Sequence, residues 1–378
     1  MPLAGRSRWI FRAIAVALAG VFLASVARFY HPGYGFTALL GLPQDHAYEL
    51  PALRAIPHID YPPSASYDGQ FYAQLALEPL LRNPDIDRAL DQPPYRARRI
   101  LLSWTAWALG LGRPRWIVEA FALQNVLCWL LLAVLTTRWL PLTSARHLAL
   151  WTACLFAHGL LWSVRFALVD GPSLLFLACV VWAAEASRPL LSATVSGIAA
   201  MARETHLLGL LAQPRPAGAR GVARLAVAVA IAVLPLLIWQ DYLFSIYRTG
   251  SVTGQNRFTL PFAGYLGAMR RMSIAFWHDP FTLGSLLPFC ALVALSLEAV
   301  YLTWRPRPAA AWWRLAIAYA AIMVMLDPTL WNLGSLTRIV LPMTFGFNLL
   351  LAQHEGRGFW LWFALGNLQL VPSVTVWY

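Results

Sequence analysis

Apolar runs of about twenty residues recur along this chain, the length an α-helix needs to cross a hydrocarbon core about 30 Å thick. Candidate spans cover 9–28, 116–137, 147–167, 172–187, 225–246, 281–303, 311–326, 338–353 and 359–376. Residues 190–213 are broken by Arg203-Glu204-Thr205-His206 and read as a tight helical hairpin with a polar tip. The expected fold is therefore all-α. It is one polytopic transmembrane domain over 1–378, with about 11 spans when both hairpin arms are counted.

Composition supports lipid as the solvent. With 59% of residues hydrophobic and 12% charged, a soluble chain would leave too much apolar surface in water. The formal charge of +12 does not point to nucleic acid. All 29 basic side chains are arginines, many in short clusters between apolar runs, as in cytoplasmic loops and phosphate contacts. Cys128, Cys154, Cys179 and Cys290 lie inside apolar runs without metal-ligand spacing and read as buried thiols. Arg6, Arg8 and Arg12 precede an apolar run to Ala27, which reads as an uncleaved signal anchor because no soluble secreted domain follows.

The arginine clusters choose a topology. If 99–112 lies in the interface, then Arg138, Arg146, Arg188, Arg215, Arg220, Arg224, Arg305, Arg307 and Arg357 all fall inside with the N-terminus. Arg113 and Arg115 then fall outside. Residues 29–115 become a first outer loop with juxtamembrane helices, and 248–280 a second. Of the 17 acidic residues, 13 lie at or beyond the outer edge, with Asp170, Glu204 and Asp327 at the tips of apolar segments. Ionisable groups at such tips face a watery cavity rather than lipid.

Four stretches carry the chemistry: Tyr67-Asp68-Gly69-Gln70-Phe71-Tyr72, Pro94-Tyr95-Arg96-Ala97-Arg98-Arg99-Ile100-Leu101, Ala202-Arg203-Glu204-Thr205 and Thr337-Arg338-Ile339-Val340-Leu341-Pro342. With Val169-Asp170-Gly171-Pro172, this order resembles bacterial GT-C-type membrane glycosyltransferases. The likeness is nearest to the group linked to cell-surface glycopolymer formation, where a "YDGQFYYQIA"-like stretch precedes a "YRYQRI"-like one. The specific motifs concentrate in residues 60–105. The resemblance implies a sugar transferase of the bacterial inner membrane, with a cytoplasmic N-terminus and an active site on the outer face. Its donor is a polyprenyl-phosphate-linked sugar, its acceptor a glycan or lipid-linked molecule, and an acidic residue in the first outer loop is the base. Asp68 occupies that position. Many relatives carry two adjacent acids there, whereas this chain has Gly69 beside Asp68.

The residues bear on that chemistry directly. Transfer from a lipid phosphate needs a base for the acceptor hydroxyl and cations for the departing phosphate. Asp68 reads either as that base or as a helix N-cap. Gly69 serves a close backbone approach or simply a turn. Arg96, Arg98, Arg99 and Arg338 are phosphate ligands by their forked donors, or interfacial side chains reaching headgroups. Arg270-Arg271 is open to the same two readings. Tyr67, Gln70, Phe71, Tyr72 and Tyr95 are candidate sugar contacts, the aromatics fitting an interfacial belt equally well. Asp170 reads as an arginine or sugar partner or as an N-cap. Arg203 and Glu204 are candidate substrate contacts, or an internal ion pair steadying the hairpin. His58 and His206 have no metal-ligand companions at useful spacing, so no metal site is expected; no cofactor is indicated, and a divalent cation is left open. Two other classes stay open: a flippase or transporter of lipid-linked sugars, and a non-catalytic glycopolymer assembly partner. A flippase would carry polar groups through the middle of several spans, where Asp241 and Asn125 are among the few exceptions.

Overall fold

The computed structural model describes residues 3–46, 49–248 and 257–377, with side chains from Trp9 onward. Its regular structure is almost wholly helical. Among the described residues the one sheet is a two-residue parallel pair, Leu42–Pro43 with Asp60–Tyr61.

Among the described residues, four helices are long and apolar enough to cross a membrane: Trp9–Ala27, Pro114–Thr136, Gly218–Tyr247 and Leu283–Trp304. Two bent pairs raise the number to six if each is one span. Ala145–Leu155 meets His158–Arg165 at 44°, and Leu333–Ile339 meets Leu341–Leu351 at 58°. The second bend has a plain cause. Pro342 lacks an N–H and its ring crowds the carbonyl four residues earlier, so it suits the first turn of a new helix but cannot continue the old one.

Other expected spans form helices too short to cross a bilayer unaided. They appear as Asp170–Glu185, Ala311–Val324, and Phe359–Gly366 followed by Leu370–Ser373. The run 99–112 yields only Leu101–Leu109. Nine residues rise about 14 Å, under half a hydrocarbon core, so this helix cannot cross alone.

The long helices expose apolar faces. Trp9–Ala27 and Gly218–Tyr247 each bury only 17% of their most apolar stretch, leaving Trp9, Val16, Leu234, Leu237 and Ile238 open. Continuous faces of this kind suit hydrocarbon and not water. Helices with such faces are compatible with a multi-pass membrane protein.

Two compact units are distinguishable. The first comprises Phe22–Leu130 and Ser163–Asn256. In it Asp170–Glu185 and Pro189–Ala202 pack together, and Ser192 donates to the Val180 carbonyl at 3.0 Å. Beyond Ala202 the chain extends through Arg203 and doubles back as a 3-10 helix, Glu204–Ala212. Ser196 donates to the His206 carbonyl at 3.2 Å. The hairpin therefore forms with its polar residues at the turn, but its second arm is 3-10 rather than α.

The second unit comprises Met1–Val21, Leu131–Trp162 and Arg257–Tyr378. Gly346 lets the helix Leu341–Leu351 approach Ala311–Val324; a Cβ there would stand 2.7 Å from that of Ala316. A buried polar seam runs through this unit. Thr344 and Gln369 each donate to Glu298 at 2.8 Å, and the amides of Asn348 and Asn367 exchange two bonds of 3.0 Å.

Candidate active site

The first unit builds a charged network from three segments of the chain. Tyr67 donates its backbone N–H to the Gly41 carbonyl at 3.1 Å and stacks on Phe166 with ring centroids 4.6 Å apart. This fixes the residue before Asp68. Gly69 opens the helix Gly69–Leu77, and a Cβ on it would lie 2.1 Å from the Phe166 carbonyl oxygen. Of its two readings, close backbone approach is the right one. The absence of a second acid at this position follows, because no side chain fits.

Asp68 stands at the N-cap of that helix but in αR geometry, and its side chain makes no capping bond. The capping reading is thereby overturned. Its Oδ1 accepts instead from Arg96 Nη2 at 2.8 Å. Arg96 sits on the short helix Pro93–Ala97, whose paired prolines start it without a donor loss. It also grips Asp91, Nε to Oδ1 and Nη2 to Oδ2, each at 2.8 Å. Arg96 is buried and lies over the Phe71 ring at 4.7 Å, with Tyr72 and Tyr95 at 5.6 Å. The Asp68 side chain is 36% exposed, so its carboxylate remains reachable.

The guanidiniums of Arg98 and Arg99 also lie near Tyr95, 4.6 and 4.8 Å from its ring centre. Both pair with one carboxylate, Glu204; the Arg99 contact is 3.3 Å. Arg203 pairs with Asp170 at the start of Asp170–Glu185. The partners of the expected Arg203–Glu204 pair are thus each engaged across elements, and Asp170 orients an arginine. Gln70 is buried, and its Oε1 has no hydrogen-bond partner among the described residues.

The charges are polarised. Arg96 with Asp68 and Asp91 leaves one negative charge in excess, whereas Arg98 and Arg99 with Glu204 leave one positive charge in excess. Tyr95 lies within 5.6 Å of the guanidiniums of both groups. Burial works against the Arg96 and Arg99 charges, but neighbouring carboxylates raise both guanidiniums above their ordinary value. Burial likewise pushes the Glu204 carboxyl up, and Arg99 and Arg98 outweigh it and hold it low. Arg99 pulls the Tyr95 phenol down against burial, with help from Arg96.

An apolar groove of about 510 Å³ adjoins this network through Leu101, two residues beyond Arg99. Trp104, Met201, Ile198 and Trp239 line it, with Arg82 at its edge. Trp239 donates to the Ala97 carbonyl at 2.9 Å, tying the groove wall to the arginine-bearing helix.

Not every expected residue joins. Arg338 belongs to the second unit, where its Nε donates to the Gly334 carbonyl at 2.8 Å in its own helix. Asp327, in the same unit, caps the turn Pro328–Leu330 through Thr329. Arg270 and Arg271 are exposed on a helix, Ala263–His278, where a loop over 248–280 was expected; residues 249–256 of that range lie outside the described residues. His58, expected to lack metal-ligand companions, stands among His46, Glu49 and Asp60. Asp91 and Glu298 were missed. Asp91 read as one more loop acid, and Glu298 as part of an apolar run.

No family model matches this chain, and no curated protein or solved structure matches it either.

Proposed function

We propose that the chain is an integral membrane glycosyltransferase of GT-C type, in the bacterial inner membrane with its N-terminus cytoplasmic and about 11 apolar segments in or against the bilayer. It transfers a sugar from a polyprenyl-phosphate donor to a glycan or lipid acceptor on the outer face. The observation that carries this reading is the polarised network, with an accessible carboxylate at one end and two arginines sharing one carboxylate at the other.

Asp68 takes the proton of the acceptor hydroxyl as its oxygen bonds to the anomeric carbon. The bond from that carbon to the phosphate oxygen breaks, and the lipid phosphate leaves with the electron pair. Arg96 acts on Asp68, holding one carboxylate oxygen and directing the group. Arg98 and Arg99 meet the departing phosphate, since guanidinium forks match its oxygens. Tyr67, Gln70, Tyr72, Tyr95, Asp170, Arg203 and Glu204 shape the sugar and phosphate pockets. The apolar groove beside Leu101 suits the first isoprene units of the donor.

The test is turnover by purified protein against a panel of polyprenyl-phosphate sugars, with and without chelator. Transfer from at least one donor is expected. A folded protein that transfers from none sinks the proposal. Placement is tested by an impermeant thiol reagent, which should label a cysteine at residue 68 from outside intact cells and spare one at 218.

The Glu298 seam favours a second reading, translocation of lipid-linked sugars, because buried polar groups within spans mark pathways. Proteoliposomes that move a fluorescent lipid-linked sugar between leaflets without transferring it would select that reading.

A further inference from the structure

Four side chains that no part of the proposed reaction uses converge in the loop before Asp68. They are His46, Glu49, His58 and Asp60, and one donor atom from each lies within 4.8 Å of all the others. The strand pairing creates this meeting. Leu42 pairs with Asp60 and Pro43 with Tyr61, while Gln44 donates to the Tyr61 carbonyl at 2.9 Å. His46 therefore leaves the first strand beside the second. Glu49 precedes the helix Pro51–Arg54, and that approach is anchored by Leu50, which donates its N–H to Gln74.

Three of the donor pairs stand near the spacing of ligands around one small cation. His58 Nε2 is 3.2 Å from Glu49 Oε1 and 3.1 Å from Asp60 Oδ1, and His46 Nδ1 is 2.9 Å from Glu49 Oε1. A tetrahedral ion with bonds near 2 Å sets its donors about 3.3 Å apart. His58 is also prepared as a ligand. Its Nδ1 lies 2.7 Å from the Ile56 carbonyl, a contact that fixes the ring with Nε2 toward the two carboxylates. Among the described residues, Glu49 Oε1 and Oε2, Asp60 Oδ1 and His46 Nδ1 make no hydrogen bond of normal geometry. The side chains of Glu49 and His58 are 1% and 6% exposed. At close range the Glu49 and Asp60 carboxylates are met by the two imidazoles, and one bound cation would satisfy all four side chains at once. The cation already nearby is Arg54, 3.7 Å from Glu49 Oε2 and on the outer side of the cluster, with 61% of its side chain exposed.

We infer that His46, Glu49, His58 and Asp60 form a closed structural site for a divalent cation of the zinc class, clamping the loop that leads into Asp68. Two imidazoles select against magnesium and calcium, which prefer all-oxygen shells. Four protein donors leave no open position, which marks a structural rather than a catalytic site. The clamp has a purpose in this fold. A strand pair of two residues each is too short to hold itself, yet Gly41, just before it, accepts the Tyr67 N–H beside Asp68.

The test is zinc binding by the full chain in detergent, competed against a chromophoric chelator, beside the same chain with His46→Gln and His58→Gln together. The parent should retain about one equivalent of zinc and melt at a higher temperature when zinc is added. The double variant should bind at least tenfold more weakly and lose the zinc-dependent shift. Cobalt in place of zinc should give the visible bands of a tetrahedral nitrogen and oxygen shell in the parent alone. A metal-free parent that neither binds zinc more tightly than the variant nor melts higher with it overturns the inference. None of these readouts depends on sugar transfer, so failure here and failure of the proposed enzyme are separable.

Discussion

Glu204 and Glu298 are both carboxylates in a largely apolar chain, and their surroundings differ in kind. Glu204 is met by two guanidiniums and keeps a fifth of its side chain exposed. Glu298 is fully buried, and its hydrogen bonds come from the neutral donors Thr344 and Gln369. Where water reaches, this chain balances charge with charge; inside a spanning helix it balances a carboxyl with hydroxyl and amide. The first arrangement leaves local charge available to a ligand. The second fastens helices.

That contrast is breakable, beginning with the largest effect. Glu204→Gln strands two partly buried guanidiniums and should lower unfolding free energy by about 3 kcal/mol, read by thermal melts in detergent. A loss no greater than that of Glu298→Gln would remove the distinction. Gly69→Ala forces a methyl onto the Phe166 carbonyl and should cost about 1–3 kcal/mol, with turnover falling further because Asp68 moves. An unchanged melt would mean that the approach of these backbones is not tight. Glu298→Gln keeps shape and an acceptor oxygen, so its cost should stay near 1 kcal/mol in the same assay.

The smallest effect is a pH dependence. Burial raises the Glu204 carboxyl, and Arg99 and Arg98 more than reverse this, so its folded value lies below the ordinary one near 4.5. A depressed carboxylate stabilises the fold above its unfolded value and loses that contribution as pH falls through the folded one. The parent should therefore lose stability relative to Glu204→Gln as pH drops below about 4.5. Parallel curves would show that Glu204 is not held low.

Much of the site was legible along the chain, and its pairing was not. Asp68, Arg96, Arg98, Arg99, Asp170, Arg203 and Glu204 announce themselves as charges beside apolar runs. Their partners do not, because Asp68 reaches 28 residues to Arg96 and Arg99 reaches 105 residues to Glu204. The capping expectation for Asp68 failed because a buried arginine competes better for a carboxylate than a backbone N–H does. Glu298 passed unread since one carboxyl in a long apolar run disturbs no periodicity. The signal for the cation cluster was present as His46-x-x-Glu49 and His58-x-Asp60, and spacing along the chain did not show that pairing of two short strands brings these two segments together. The apolar runs located the helices well, but the run 338–353 did not show the bend that Pro342 imposes on it.

The central claim is that Asp68 takes a proton, and one substitution isolates it. Asp68→Asn keeps an oxygen to accept from Arg96, which stays ion-paired with Asp91, and removes the carboxylate's charge and basicity. With donor binding and melting temperature held near the parent's, turnover should fall by on the order of a hundredfold. Near-parental turnover in Asp68→Asn, measured with the best polyprenyl-phosphate sugar, would contradict the account.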